Sequence, residues 1–355
     1  MARPDHERPD GEARLLVVDL AAMSKNWALT PDGERQLLGA TPEGWRVHVV
    51  RSPTSSDGDG PPRPSDEVMA AVQDAEVYYG FGMPRALFLE ARRLRWVHSA
   101  AAGVGSAMYR EMVERDVLFT NSAGIHAVPI AEFVVAGVLH FLRGFDMIVD
   151  QQRRVEWNKQ PFVKLDSVLR EMDSVRALIV GVGGLGGATA ERLSALGARC
   201  TGVRRRVDLG PPPGFERVIS LDQIEAELPE HDVVVLAAPQ TGETAGLLTA
   251  ERLDLLPARA IVVNVARGAL LDESALAERV ASGRLRGAVL DVFREEPLAP
   301  SSPLWHLRQV IVSPHVSPVS PGRFWPRQLA LFLDNWRRYS RGQPLRNVVD
   351  KRAGY

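Results

Sequence analysis

The sequence predicts an α/β fold: two doubly wound parallel-sheet domains. Three observations carry this. The chain has 355 residues, the span of two ordinary domains of ~100–200 residues each. Short apolar runs of strand length recur in two series, with helix-capable segments between them. A glycine-rich turn, Gly181-Val182-Gly183-Gly184-Leu185-Gly186, stands directly between an apolar run and a helical pattern.

The elements follow in chain order. Residues 1–14 are polar and rich in Pro, Arg and Asp, the composition of a mobile tail. Leu15–Leu20 is the first apolar run and reads as a buried strand. Trp45–Val50, Glu76–Tyr79, Trp96–Ser99 and Val117–Thr120 read the same way, with helical segments at Ser65–Val72 and Pro84–Ala91. Pro53–Ser65 collects Pro, Gly and Ser and reads as a surface loop. One long helix then starts at Pro129 and runs through Arg154. Its apolar residues extend well beyond a narrow stripe as far as Ile148, so it is expected to be buried, either as a core helix or between domains or subunits. The second series has strands at Ala177–Val180, Arg199–Val203, Val233–Ala237, Ala260–Val265, Gly287–Val292 and Val310–Ser313, and the chain closes with a helix near Phe324–Tyr339.

Composition narrows the function. Hydrophobic residues at 45% and charged residues at 25% are globular averages and exclude a disordered or fibrous chain. Lys+Arg is 43 against Asp+Glu 44, so no global charge recruits nucleic acid or an anionic membrane. A lone cysteine, Cys200, cannot form an internal disulfide. No apolar run approaches the ~18–20 residues of a membrane span, and the first residues lack the apolar core of a signal peptide. The expectation is a soluble, cytoplasmic protein.

The glycine turn carries the first chemistry. Gly181 permits a tight turn, Gly183 lets a pyrophosphate approach the backbone, and Gly186 lets helix and strand pack closely, the requirements of a Rossmann-like dinucleotide-binding domain. The helix opening at Gly184 and Leu185 offers free N–H groups and a positive dipole end to the phosphates. An NAD-preferring fold places an acid about twenty residues on, to hold the ribose 2′-hydroxyl. Here the strand Arg199–Val203 is followed by Arg204-Arg205-Arg206, with the first acid at Asp208. These guanidinium groups form either a solvated loop or a clamp for a 2′-phosphate. NADP(H) is the preferred cofactor, with NAD(H) as the alternative.

Three further segments complete a pattern: NVARGALLDE (Asn264–Glu273), DVFREEPL (Asp291–Leu298) and VSPHVS (Val312–Ser317). With the glycine turn, Trp96–Val104, Thr120-Asn121 and Ile130-Ala131-Glu132, they closely resemble the D-isomer-specific 2-hydroxyacid dehydrogenase family, which includes glyoxylate, hydroxypyruvate and phosphoglycerate dehydrogenases. The resemblance implies that Arg267 binds the substrate carboxylate and polarises its carbonyl, that His315 is the acid/base, and that Glu296 hydrogen-bonds His315. It implies that Asp291 receives the nicotinamide carboxamide, and that Ala238, Pro239, Thr244 and Ala266 join Arg204 and Arg205 as cofactor contacts. The backbone of Ala102 and Gly103 would hold the substrate carboxylate, with the Tyr79–Gly80 turn lining the same cleft. Tyr78, Tyr79, Phe81 and Met83 could equally line an apolar pocket for a longer side chain. No Cys/His spacing suits a metal, so the expected catalysis is metal-free.

The resemblance also implies a discontinuous substrate domain, residues 1–122 and 318–355, a dinucleotide-binding domain, 123–317, a cleft between them, and a homodimer through the helix starting at Pro129. It departs from the family at Arg204, where NAD-preferring members carry an acid, before Trp96, and in the proline-rich segment Ser317–Gln328. The reading is an NADPH-preferring reductase of a small 2-oxoacid. Two alternatives stand beside it. One is phosphite-type donor oxidation; formate oxidation is disfavoured, because formate dehydrogenases of this fold carry glutamine where this chain has His315. The other is a dinucleotide-sensing protein like the related corepressors, for which the short tails leave little room for partner modules.

Overall fold

A computed structural model of the chain describes residues 13–20, 28–52, 54, 63–104, 107–165 and 167–354. The expected N-terminal tail up to residue 12 and most of the expected loop Pro53–Ser65 lie outside the described residues. Contacts divide the chain into two compact units, Met1–Ile125 with Ser320–Tyr355, and His126–Val319.

The first unit opens with β1 (Arg14–Asp19), α1 (Pro31–Gly39), β2 (Trp45–Val49), α2 (Asp66–Ala71), β3 (Val77–Gly80), α3 (Arg85–Glu90), β4 (Trp96–Ser99), α4 (Arg110–Glu114) and β5 (Leu118–Thr120). The second unit holds α5 (Ala127–Leu142), α6 (Phe145–Arg153), α7 (Gln160–Val163), β6 (Arg176–Val180), α8 (Gly184–Ala195), β7 (Arg199–Val203), β8 (Arg217–Ile219), α9 (Ile224–Glu227), β9 (Val233–Leu236), α10 (Ala250–Asp254), β10 (Ile261–Asn264), α11 (Glu273–Ala281), β11 (Gly287–Leu290) and β12 (Val310–Val312). The chain then returns to the first unit as α12 (Phe324–Ser340).

Both sheets are parallel throughout. The first has order β2-β1-β3-β4-β5, the second β12-β11-β10-β9-β6-β7-β8. Because successive strand residues face opposite sides, each sheet builds two cores. In the first unit Val17, Tyr78 and Val97 pack with Val68, Leu87 and Met112, while Leu16, Tyr79 and Trp96 pack beneath Phe332 and Trp336 of α12. In the second unit Val180, Leu236 and Leu290 meet Leu253 and Leu276 on one side; Ile179, Val235 and Val289 meet Val134 and Phe141 of α5 on the other. Local sequence sets the helix starts: Thr30, Ser65 and Asp272 each accept a backbone N–H three residues on, as N-caps do.

Two expectations are corrected. The helix expected as one piece from Pro129 to Arg154 breaks after Leu142, and α5 and α6 meet at 69°. Gly144 takes φ 68°, a left-handed conformation that ends α5. The apolar breadth of α5 is explained within its own unit: Gly137 sits so close to the sheet that a Cβ there would stand 2.7 Å from Val289. The apolar side chains left exposed are instead on and after α6, among them Phe145, Ile148, Trp157 and Leu165. The second correction is β8, which the sequence reading missed; it is a three-residue edge strand, too short for a periodicity to show. Among the described residues no single helix is long and apolar enough to cross a membrane.

Candidate active site

The second unit gathers its motif residues at one edge, the C-terminal ends of its parallel strands, where open α/β sheets bind ligands. Gly181 follows β6, Arg204 follows β7, Ala238 lies just beyond β9, Arg267 beyond β10, Asp291 follows β11 and His315 lies beyond β12.

The glycine turn has the shape a pyrophosphate requires. Gly181 has φ 102°, and a Cβ on it would stand 2.7 Å from the Ala237 carbonyl oxygen. A Cβ on Gly186 would stand 1.8 Å from the Gly181 carbonyl oxygen, so only glycine lets α8 approach the turn. At Gly183 the same test meets open space, and α8 begins with no side-chain cap, which leaves its first N–H groups for an anion. Gly184 and Leu185 supply the first turn of that helix. These residues fit a dinucleotide phosphate. Beside them Thr244 closes the Ala238-Pro239 turn, its hydroxyl donating to the Pro239 carbonyl at 2.7 Å. Of the basic run, Arg205 and Arg206 are exposed, whereas Arg204 is half-buried and donates from Nη2 to the Gly210 carbonyl. Arg204 therefore shapes the 204–210 loop as well as facing it, which a simple clamp would not require.

The acid–base pair is direct. His315 Nδ1 lies 2.8 Å from Glu296 Oε2. An ionised carboxylate only accepts, so Nδ1 carries the hydrogen and donates, and Nε2 is the nitrogen left to exchange a proton. Both side chains are partly exposed, at 46% and 34%. The other oxygen of Glu296 accepts from the Phe293 N–H at 2.9 Å, which fixes the carboxylate's orientation.

His315 sits at φ 53°, in the left-handed region that is costly for any residue with a Cβ, and its loop is held from below. Asp291, fully buried, accepts from Ser313 Oγ at 2.7 Å and Val316 N at 2.9 Å through Oδ1, and from Ser317 N at 3.0 Å through Oδ2. The resemblance assigned Asp291 to the nicotinamide carboxamide; the structure shows most of its hydrogen-bonding capacity spent on the His315 loop. Asn264, also fully buried, performs the same service for Arg267. Its Oδ1 accepts from Ala266 N at 3.2 Å and its Nδ2 donates to the Arg267 carbonyl at 3.0 Å. Arg267 itself is exposed, with Nη1 donating to the Ala266 carbonyl at 2.6 Å and the rest of its fork open to an anion. The sequence reading gave no role to Asn264, Ser313 or Ser317; their signal was position alone, flanking Arg267 and His315 within two short motifs.

The first unit offers backbone rather than side chains. The N–H groups of Ala102 and Gly103 make no hydrogen bond within the described residues, and Asn121 Nδ2 pins their loop through the Ala102 carbonyl at 2.7 Å. Tyr79 requires correction. Its side chain is fully buried and stacks on Phe332 at 3.9 Å between centroids, and burial pushes its phenol well above the ordinary value. Tyr78 and Met83 are core as well; of the four apolar pocket candidates, Phe81 alone is exposed. Gly80 is glycine because the Tyr78 hydroxyl passes over it, 2.6 Å from where a Cβ would be.

A parallel sheet with an uncapped glycine turn and a carboxylate-held histidine at one edge defines the class of nicotinamide-dinucleotide oxidoreductases. Comparison with known proteins gives the family. The profile of the D-isomer specific 2-hydroxyacid dehydrogenase, NAD binding domain, matches residues 135–317. Glyoxylate/hydroxypyruvate reductase A of Salmonella newport is 32% identical over 281 residues, covering 77% of this chain and 85% of that protein. A D-isomer specific 2-hydroxyacid dehydrogenase of Xanthobacter autotrophicus Py2, solved with NADPH and MES, superposes with TM-score 0.76 at 30% identity over 97% of this chain and all 100% of that one. An NADPH-dependent glyoxylate/hydroxypyruvate reductase of Sinorhizobium meliloti, solved with NADP and sulfate, does so with TM-score 0.74 at 26% identity, covering 96% and 100%. The chain belongs to the D-isomer specific 2-hydroxyacid dehydrogenase family. It is an oxidoreductase with an NAD-binding domain.

Proposed function

We propose that this protein reduces a small 2-oxoacid, of the glyoxylate or hydroxypyruvate type, to the D-2-hydroxyacid, with NADPH preferred over NADH. The observation that carries the reading is the Glu296–His315 contact at 2.8 Å, which leaves one imidazole nitrogen free at the same sheet edge as a dinucleotide-shaped turn. Similarity to NADPH-bound and glyoxylate/hydroxypyruvate-reducing relatives supports the substrate class and the cofactor.

Gly181–Gly186 would hold the pyrophosphate of NADPH, with Arg204 and Arg205 toward its 2′-phosphate, and the bound cofactor would supply the hydride. The chain's own residues do the rest. Arg267 pairs with the substrate carboxylate and draws electron density from the carbonyl. His315 gives the proton on Nε2 to the carbonyl oxygen, and Glu296 holds the ring in place for it by accepting from Nδ1. We place the enzyme in the cytoplasm as a homodimer. The exposed apolar side chains from Phe145 to Leu165, rather than α5, are the surface a second copy would cover.

The test is NADPH oxidation against 2-oxoacids from glyoxylate and hydroxypyruvate through pyruvate to phenylpyruvate, with NADH in parallel. Turnover is expected with NADPH, best with the small acids, and His315→Ala should reduce kcat by about 10²–10⁴. Activity with NADH alone discards the role given to Arg204 and Arg205. No turnover, with tight NADPH binding intact, replaces the reductase by a dinucleotide sensor or an oxidase of a donor such as phosphite.

A further inference from the structure

We infer that Glu273, outside the acid–base pair, is a positioning residue that fixes the turn presenting Glu296 to His315. The kinetic part of the inference rests on the reductase reading above.

Glu273 is the first residue of α11, yet its side chain does not serve that helix. Asp272 already caps the helix, accepting from Ala275 N at 2.9 Å. Glu273 turns away and accepts the Arg294 N–H on Oε1 at 2.5 Å. The preceding amide, Phe293 N–H, donates to Glu296 Oε1 at 2.9 Å. Two consecutive amides of one turn are thus each held by a glutamate: the first by the carboxylate that reaches His315, the second by Glu273.

The peptide between those amides also abuts the arginine turn. A Cβ on Gly268 would stand 1.9 Å from the Phe293 carbonyl carbon and 2.2 Å from Arg294 N. The Arg267-Gly268 turn, the start of α11 and the Glu296 turn therefore meet at one peptide, and Glu273 is the side chain that pins it. The groups facing Glu273 are the Arg294 N–H and guanidinium, Glu296 and Asp272. Burial pushes the Glu273 carboxyl above its ordinary value, Glu296 and Asp272 push the same way, and Arg294 opposes them. A glutamate exposed at a helix start carries no such burden, and the bond to Arg294 offsets it here.

Loss of the pin would loosen the 293–296 turn, and Glu296 would spend less time on Nδ1. Nδ1 keeps its hydrogen because Glu296 accepts from it, so partial withdrawal of the carboxylate lets the neutral ring take the other tautomer, with its hydrogen on Nε2. The experiment compares Glu273→Ala and Glu273→Gln in the NADP-loaded enzyme, reading the His315 tautomer from its nitrogen NMR shifts and kcat and KM by assay. In Glu273→Ala the Nδ1–H tautomer should give way to a mixture and kcat should fall about tenfold, with KM for NADPH within about twofold. Glu273→Gln keeps an acceptor for the Arg294 N–H and should restore both. A wild-type tautomer and kcat in Glu273→Ala, even with a lowered melting temperature, overturn the inference, as does a Gln variant no better than Ala. The NMR measurement needs no turnover, so it decides the positioning role even if no 2-oxoacid proves to be a substrate.

Discussion

The two sheets turn their strand order at equivalent places and put opposite chemistry there. In the second unit β6 lies between β7 and β9, and the chain leaves it through glycines onto a helix with uncapped N–H groups. In the first unit β1 lies between β2 and β3, and its last residue is Asp19. That carboxyl is 6% exposed, accepts from Thr54 Oγ1 at 2.6 Å and Tyr78 Oη at 2.8 Å, and is raised above its ordinary value by burial. One crevice is left open to an anion; the other is filled by an acid and two hydroxyls. Topology marks where a ligand can sit, and the residue at the strand end decides whether one does. The difference extends along both edges. The second unit presents side chains there, Arg267 and His315, each braced by a buried acceptor; the first presents backbone and keeps its polar side chains inside.

The largest effect expected outside the acid–base pair comes from removing one of those braces. Asp291→Ala leaves the Ser313 hydroxyl and the Val316 and Ser317 amides without their acceptor, at about 1–3 kcal/mol for each buried donor, and frees the loop that holds His315 at positive φ. We expect kcat/KM to fall about 10²-fold, with a lowered melting temperature. If Asp291 serves only the nicotinamide carboxamide, the loss is confined to KM for NADPH and stability is unchanged.

What the sequence showed follows the same divide. The apolar runs located eleven of the strands, because strands buried on both faces are continuous hydrophobic stretches. In the second unit the chemistry lies in side chains, so Arg267, Asp291, Glu296 and His315 stand out as motif residues. Their pairing is less visible: Glu296 and His315 are 19 residues apart, and only the family resemblance joined them beforehand. In the first unit the same reading misled. Tyr78 and Tyr79 lie on β3, buried on both faces, and an aromatic pair there looks alike whether it lines a pocket or fills a core. The break at Gly144 was hidden because apolar residues continue on both sides of it.

A smaller effect separates the units by pH. His98, on β4, is fully buried, and burial pushes its imidazole down to about 3. The unfolded value is ~6.5, so between the two the unfolded chain holds the proton. His98's contribution is complete above pH ~6.5 and is lost as pH falls, by up to about 1.4 kcal/mol per pH unit. In the second unit burial also lowers His231 and His140, so the signal must be local. Tryptophan fluorescence provides it, since the buried Trp45, Trp96, Trp325 and Trp336 all belong to the first unit, whereas Trp305 and Trp157 of the second are exposed. Urea unfolding of His98→Leu should show a flatter pH dependence than wild type below pH ~6.5, whatever its stability at neutrality. An equally steep dependence would place the acid sensitivity elsewhere.

The smallest effect is the sharpest test of the comparison, because the two readings of Tyr79 predict different things. Its hydroxyl is buried near the Gln328 side chain and makes no hydrogen bond of good geometry among the described residues, while its ring stacks on Phe332 and meets His98 edge-on at 5.2 Å. Tyr79→Phe keeps the ring and removes at most a weak contact with Gln328. Stability should move by less than about 1 kcal/mol, in the favourable direction if at all. The kinetic constants for both oxoacid and NADPH should stay at wild-type values. A rise in KM for the oxoacid would mean that the phenol reaches the substrate, and the first unit would then offer a side chain after all.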